Sequence, residues 1–162
     1  MILFLDTEFT DFHQPELISI GLVSECGRHE FYAECSELDL TRCSDFVRSA
    51  VLPRLGRTGP LPGLLDRTAL GVELQKWLEK VHALDGGRTI SVLYDFDTDF
   101  DLFRQALEVP LPTWLEGANV ADEVNAISWA RNGLEESQDA HHALHDAREL
   151  RLDWLEAKAK GQ

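Results

Sequence analysis

Ile2-Leu3-Phe4-Leu5-Asp6-Thr7-Glu8-Phe9 opens the chain with an apolar run that meets two acids one residue apart. Side chains of a strand alternate across a sheet, so Ile2, Phe4, Asp6 and Glu8 share one face and Leu3, Leu5, Thr7 and Phe9 the other. Two carboxylates side by side at the end of an apolar strand repel each other and lose hydration. A cation between them removes both penalties. The alternative is a strand that ends at Asp6 with both acids in water, and this segment alone leaves that choice open. The run lacks the basic region that precedes the apolar part of a secretion signal, so it reads as the first strand of a fold.

Two further segments concentrate ionisable groups. In Tyr94-Asp95-Phe96-Asp97-Thr98-Asp99-Phe100-Asp101, four acids alternate where a strand gives way to a helix. Some of them fit the start of that helix, where the backbone dipole favours negative charge. In His141-His142-Ala143-Leu144-His145-Asp146-Ala147, three of the six histidines fall within five residues. A zinc site is the rival reading, but the cysteines are distant and the spacing is not HExxH.

Between these segments the pattern alternates strand and helix. Apolar runs at residues 2–6, Leu17 to Val23 and His29 to Ala33, separated by turn formers, predict three strands in meander order. A helix is expected from Ser44 to about Leu52, capped by Ser44, with Phe46, Val47, Ala50 and Val51 on one side. Leu55 to Leu65, rich in glycine and proline, reads as an irregular loop. A helix from Thr68 to Ala83 carries Leu70, Leu74, Trp77, Leu78 and Val81 as its apolar stripe. Thr89 to Tyr94 is a short strand, and helical spacing runs from Asp99 to Leu107. Further helices are expected near Val120 to Ala130 and from His142 to about Lys158, the last burying Leu144, Ala147, Leu150 and Trp154. The sum is an α/β domain with helices packed on a sheet.

Composition narrows the function. The 162 residues, 44% hydrophobic and 27% charged, suit one soluble globular domain spanning 1–162, and no apolar run approaches the roughly 18 residues of a membrane span. Cys26, Cys35 and Cys43 follow neither CxxC nor zinc spacing, which points to reduced thiols and a cytoplasmic location. A net charge of −14 argues against a protein that grips nucleic acid through a broad basic surface. An acidic protein can still act on a phosphodiester if bound metal supplies the positive field.

In chain order, an acid pair on the first strand, an acid at a strand-to-helix junction and a histidine five residues before an acid on the last helix resemble the DEDDh 3′→5′ exonucleases. DTEF is similar to their first motif and HHALHDA to their third, HxALxDA. The stretch DTEFTDFHQPELISIGLVSECGRHEFYAE resembles especially a bacterial subgroup of small 3′→5′ exoribonucleases, and the likeness runs from Met1 to about Leu152. The second motif departs from the pattern, because HNxxFD is absent.

The resemblance implies a ribonuclease H-like mixed sheet, its first three strands antiparallel, flanked by helices. It implies two divalent cations, Mg²⁺ or Mn²⁺, held by Asp6, Glu8, Asp99 and Asp146, with His141 taking a proton from the attacking water. Products would be nucleoside 5′-monophosphates from a free 3′ end, with RNA favoured over DNA and a homodimer as the assembly. A DNA exonuclease of proofreading or repair type, and a catalytically silent nucleic-acid-binding module, are the alternatives. From Asp99 the third and fourth positions onward are Leu102 and Phe103, which can enter a core; from Asp101 they are Arg104 and Gln105, which cannot. Asp101 keeps the advantage of following Phe100, as in the family's FD. Helical geometry alone selects His142 as the residue sharing a face with Asp146; the family spacing selects His141. Arg54, Arg57 and Arg67 around the Gly/Pro loop, and Arg131, could reach a phosphate backbone or be ordinary surface charge. Phe9 and Phe12 could stack on terminal bases, with core packing the rival for Phe9.

Overall fold

The alternation of the first segment is that of a central strand. In the computed structural model, which describes residues 1–56, 63–132 and 140–161 and all their side chains but those of 129–132, β1 (Ile2–Phe9) runs antiparallel to β2 (Leu17–Ser24). On its other side it runs parallel to β5 (Ile90–Tyr94). β3 (Glu30–Cys35) pairs antiparallel with β2, and two short parallel strands form the edges, β4 (Gly63–Leu65) beside β3 and β6 (Leu115–Asn119) beside β5. The order is β4-β3-β2-β1-β5-β6. This mixed sheet, with its first three strands antiparallel, is consistent with the ribonuclease H-like fold expected from the sequence.

Each face of β1 is covered by a different pair of helices. Leu3 and Leu5 pack with Leu70, Leu74, Leu78 and Val81 of α1 (Arg67–Leu84) and Phe103 of α2 (Asp97–Ala106). Phe4 packs with Val124 of α3 (Ala121–Asn132) and Ala147 and Leu150 of α4 (Ala143–Lys160), with the Trp154 ring edge-on at 5.5 Å. Burial of these side chains is the main force holding helices to sheet. Asp66 caps α1 by accepting the Ala69 N–H at 2.7 Å. Arg148, which interrupts the apolar face of α4, leaves it sideways to pair with Glu30 through two 2.7 Å contacts.

The structure departs from the sequence reading in four places. β4 lies where an irregular loop was expected, and it exists because Gly63 to Leu65 pair with Ala33 to Cys35. β6 was not expected at all: Leu-Glu-Gly-Ala-Asn has one buried residue and no apolar alternation, so only its pairing with β5 makes it a strand. The helical stretch after Ser44, whose hydroxyl accepts the Val47 N–H at 3.2 Å, continues as a π-type turn over Val47–Val51. Within it Val47 and Val51 are buried but Phe46 is 55% exposed. Finally, α2 begins at Asp97, which places Asp99 inside its first turn. The centre of the Gly/Pro loop, Arg57 included, and the Arg131 side chain lie outside the described residues. Among the described residues, no helix is long and apolar enough to cross a membrane.

Candidate functional site

Parallel strands that end together bring their carboxyl ends to one place. β1 and β5 pair with Phe4 opposite Leu93, and two residues further on the same face stand Asp6 and Asp95. α2 starts directly after, and its buried Asp99 turns back toward β1. There the Asp99 Oδ1 accepts two hydrogen bonds from Thr7, from the hydroxyl at 2.6 Å and from the backbone N–H at 3.3 Å. Oxygens of Asp6, Asp95 and Asp99 all lie within 4.8 Å of one another.

The last contribution comes from α4, and a glycine decides how close it can come. Gly21 faces Asp6 across the β1–β2 pair, and a Cβ there would meet the Ala143 backbone at 2.4 Å. The bare backbone lets the α4 N-terminus rest on the sheet beside Asp6. Asp146, in the first turn, accepts the His141 backbone N–H at 2.9 Å. Ligand atoms of Glu8, His141 and Asp146 also lie within 4.8 Å of one another.

All four acids read from the sequence therefore converge with His141 at one end of β1. Asp101 does not: its side chain is 68% exposed and lies 3.9 Å from Arg104 on the helix surface. His142 takes a different place from His141. Its ring stacks on Tyr32 at 4.4 Å, beside the buried Ala143 and Leu144. His141, at φ 65° in the segment before the helix, is the one beside the acids. A residue outside the helix is free of the 100° step, which is why helical geometry alone points to His142 and not to the histidine that lies beside the acids.

Burial raises every one of these carboxyls, and repulsion between them adds to it at Asp6, Glu8 and Asp99. Asp6 is held well above the ordinary carboxylate range, first by desolvation and then by the charges of Asp99, Asp146, Glu8 and Asp95. Glu8 is pushed up to about 8 by desolvation and by Asp146 and Asp99. Asp99 is raised to about 7 by desolvation, against the Thr7 hydrogen bonds, which favour its charged form. Asp146 is raised by desolvation, partly offset by His145 and His141. So many carboxylates cannot all be ionised together without compensating charge. The donor set is nearly all carboxylate oxygen, which suits hard divalent cations and fits poorly with zinc or copper.

Around the acids lie two cavities. One, of about 380 Å³, is polar and runs along α4 past Asp6, Asp95, Asp146 and Glu149. The other, of about 460 Å³, has an aromatic wall of Phe9, Phe12, Phe46 and Phe96 facing the same acids. Phe12 is 78% exposed and meets Phe9 edge-on at 5.4 Å and Phe96 at 6.0 Å. Phe46 presents its ring to His141 at 4.8 Å. Asp95, Phe46 and Phe96 are site neighbours that sequence reading missed. The parity of Asp95 with the β5 residues could have found it; nothing local signals the two rings. Arg67 pairs with Glu16 at 3.4 Å, and Arg54 donates to the Ala50 carbonyl.

No protein-family profile matches the chain. Two curated proteins from two strains of Mycobacterium tuberculosis are similar to it, each named 3′-5′ exoribonuclease and each 42% identical over 90 residues. The similarity is to nucleases. The matched segment is 55% of this chain and 50% of each relative, so the chain spans about half the length of the curated relatives it matches.

Proposed function

We propose that this chain is a metal-dependent 3′→5′ exoribonuclease of DEDDh type that releases nucleoside 5′-monophosphates from a free 3′ end. The observation that carries the reading is the convergence of Asp6, Glu8, Asp99 and Asp146 with His141 on a chain similar to two proteins named 3′-5′ exoribonuclease. The crowded carboxyls, Asp99 buried and the other three half-buried, fit a pair of cations, Mg²⁺ or Mn²⁺, which the four acids would hold. Such cations supply Lewis acidity at a phosphate and lower the pKa of water.

The chain's own groups do the rest. His141, with a ring nitrogen beside Glu8 and Asp146, takes the proton of the attacking water as the new P–O bond forms. The P–O3′ bond breaks, and the leaving 3′ oxygen takes its proton from solvent. Thr7 fixes one oxygen of Asp99 and leaves the other for the site. Phe12 and Phe96 offer flat, exposed rings on which the terminal bases stack. Stacking tolerates any base, as an exonuclease needs. A protein this acidic touches few phosphates, so substrate binding leans on the rings and on bound cations.

Incubating 5′-labelled RNA and DNA oligomers with Mg²⁺ or Mn²⁺, with and without chelator, tests the reading. The expected result is a ladder that shortens from the 3′ end, faster on RNA, and stops with chelator. Cleavage in chelator, or no shortening of either substrate, overturns it. Assembly as a homodimer and a cytoplasmic location complete the proposal; light scattering and localisation of a tagged chain test them.

A further inference from the structure

Asp95 has no place in the four-acid reading, and the structure gives it none of the ordinary duties of an acid at a helix start. Each of its neighbours in the acidic run is occupied. Asp97 accepts the Asn119 side-chain amide at 2.8 Å, Asp99 accepts from Thr7, and Asp101 lies 3.9 Å from Arg104. The N-cap of α2 is Phe96, and no side chain caps it. Among the described residues, Asp95 has no ion-pair partner and no side-chain hydrogen-bond partner.

What Asp95 does have is position. The β1–β5 register carries Asp6 and Asp95 to neighbouring strand ends on one face, and oxygens of Asp6, Asp95 and Asp99 lie within 4.8 Å of one another. Glu8, Asp146 and His141 form the other group, so five acids and one histidine sort into two sets of three. Asp95 lines both cavities that flank the acids. The motif absent from this chain, HNxxFD, has a neutral amide four residues before its acid; here Asp95 stands four before Asp99.

We infer that Asp95 is a fifth carboxylate ligand of this site, completing a three-carboxylate set with Asp6 and Asp99 for one divalent cation. The inference rests on the metal-dependent reading above. An added anionic oxygen strengthens the hold on a hard cation by direct attraction. The same negative charge makes the unloaded site more repulsive to a phosphate, so productive substrate binding follows cation loading.

Calorimetric titration of the metal-free chain with MnCl₂ alone tests this for the parent, Asp95→Asn and Asp101→Asn. Asp95→Asn should weaken binding at one of the two sites by at least roughly tenfold, since losing even an outer partner of a metal costs that much, while Asp101→Asn binds as the parent does. The unfolding temperature of Asp95→Asn in chelator should not fall below the parent's, which separates a lost ligand from a damaged fold. Two Mn²⁺ ions bound with parental affinity by Asp95→Asn would overturn the inference and leave the nuclease reading standing. A parent chain that binds no Mn²⁺ would overturn both.

Discussion

The Thr7 hydroxyl donates to Asp99 Oδ1 at 2.6 Å across the junction between the first strand and α2. Thr7 lies on the opposite face of β1 from Asp6 and Glu8, so the strand supplies acids from one side and a clamp from the other. With Oδ1 committed to Thr7, the other oxygen of Asp99 has a fixed direction. Thr7→Val, which keeps the shape and removes the donor, should weaken Mn²⁺ binding by about tenfold or more and lower turnover with it. Thr7→Ser should restore most of both. Parental Mn²⁺ affinity in Thr7→Val would show that the hydroxyl has no positioning role.

The raised carboxyls set a pH dependence whose sign is fixed. Folded Glu8 and Asp99 keep protons up to about 8 and about 7, and Asp6 and Asp146 are raised as well, whereas the unfolded chain releases them near 4. Between those limits the native state binds more protons, so this contribution to stability is full below about pH 4 and is lost as pH rises through 7 to 8. In chelator the unfolding temperature should therefore fall between pH 5.5 and pH 8, and Mg²⁺ at pH 8 should restore it. A rise over that interval in chelator would contradict the burial of these groups.

Removing one of the charges should expose the trade between stability and function. Asp6→Asn is expected to abolish hydrolysis and to raise the unfolding temperature of the metal-free protein at pH 8, because Asp6 faces four other acids. Asp146→Ala should also abolish hydrolysis with the fold intact. Circular dichroism melts beside a turnover assay measure both; an active Asp6→Asn protein would end the metal-site reading.

The two adjacent histidines should separate by phenotype. His141→Ala is expected to lose about 10²-fold or more in rate, the usual range for a lost general base, with little change in stability. His142→Ala removes a ring stacked on Tyr32 at 4.4 Å and should act mainly on the melting temperature. Full activity in His141→Ala, with loss of chemistry in His142→Ala, would reverse the assignment.

Gly21→Ala puts a methyl group where the Ala143 backbone would lie at 2.4 Å. Overpacking of this kind costs about 1–3 kcal/mol. Since the displaced element carries Asp146, turnover should fall more than the loss of folded protein explains. Activity per folded molecule, compared between Gly21→Ala and the parent, reads this directly; an unchanged value would mean that α4 does not move.

Much of this was legible in local sequence because local physics decides it. Period-two alternation around Asp6 and Glu8 identified a strand with two acids on one face, and the core confirms the sides taken by Ile2, Leu3, Phe4 and Leu5. The stripe of Leu70, Leu74, Leu78 and Val81 identified α1 for the same reason. The spacing of HHALHDA pointed to His141 and Asp146 only through a family likeness, since their contact depends on a backbone N–H and a residue at φ 65°.

Other features exist only because distant segments meet. β4 and β6 lack a pattern of their own, and pairing with a neighbour makes them strands. Thr7 as a clamp, Asp95 beside Asp6, and Gly21 under Ala143 each join residues whose separation along the chain hides their contact. A sequence sets which face of its own strand or helix a side chain takes, because that periodicity is built into the backbone. Which partner waits on that face is settled by the register of the sheet and the seating of the helices, both products of packing the whole core at once.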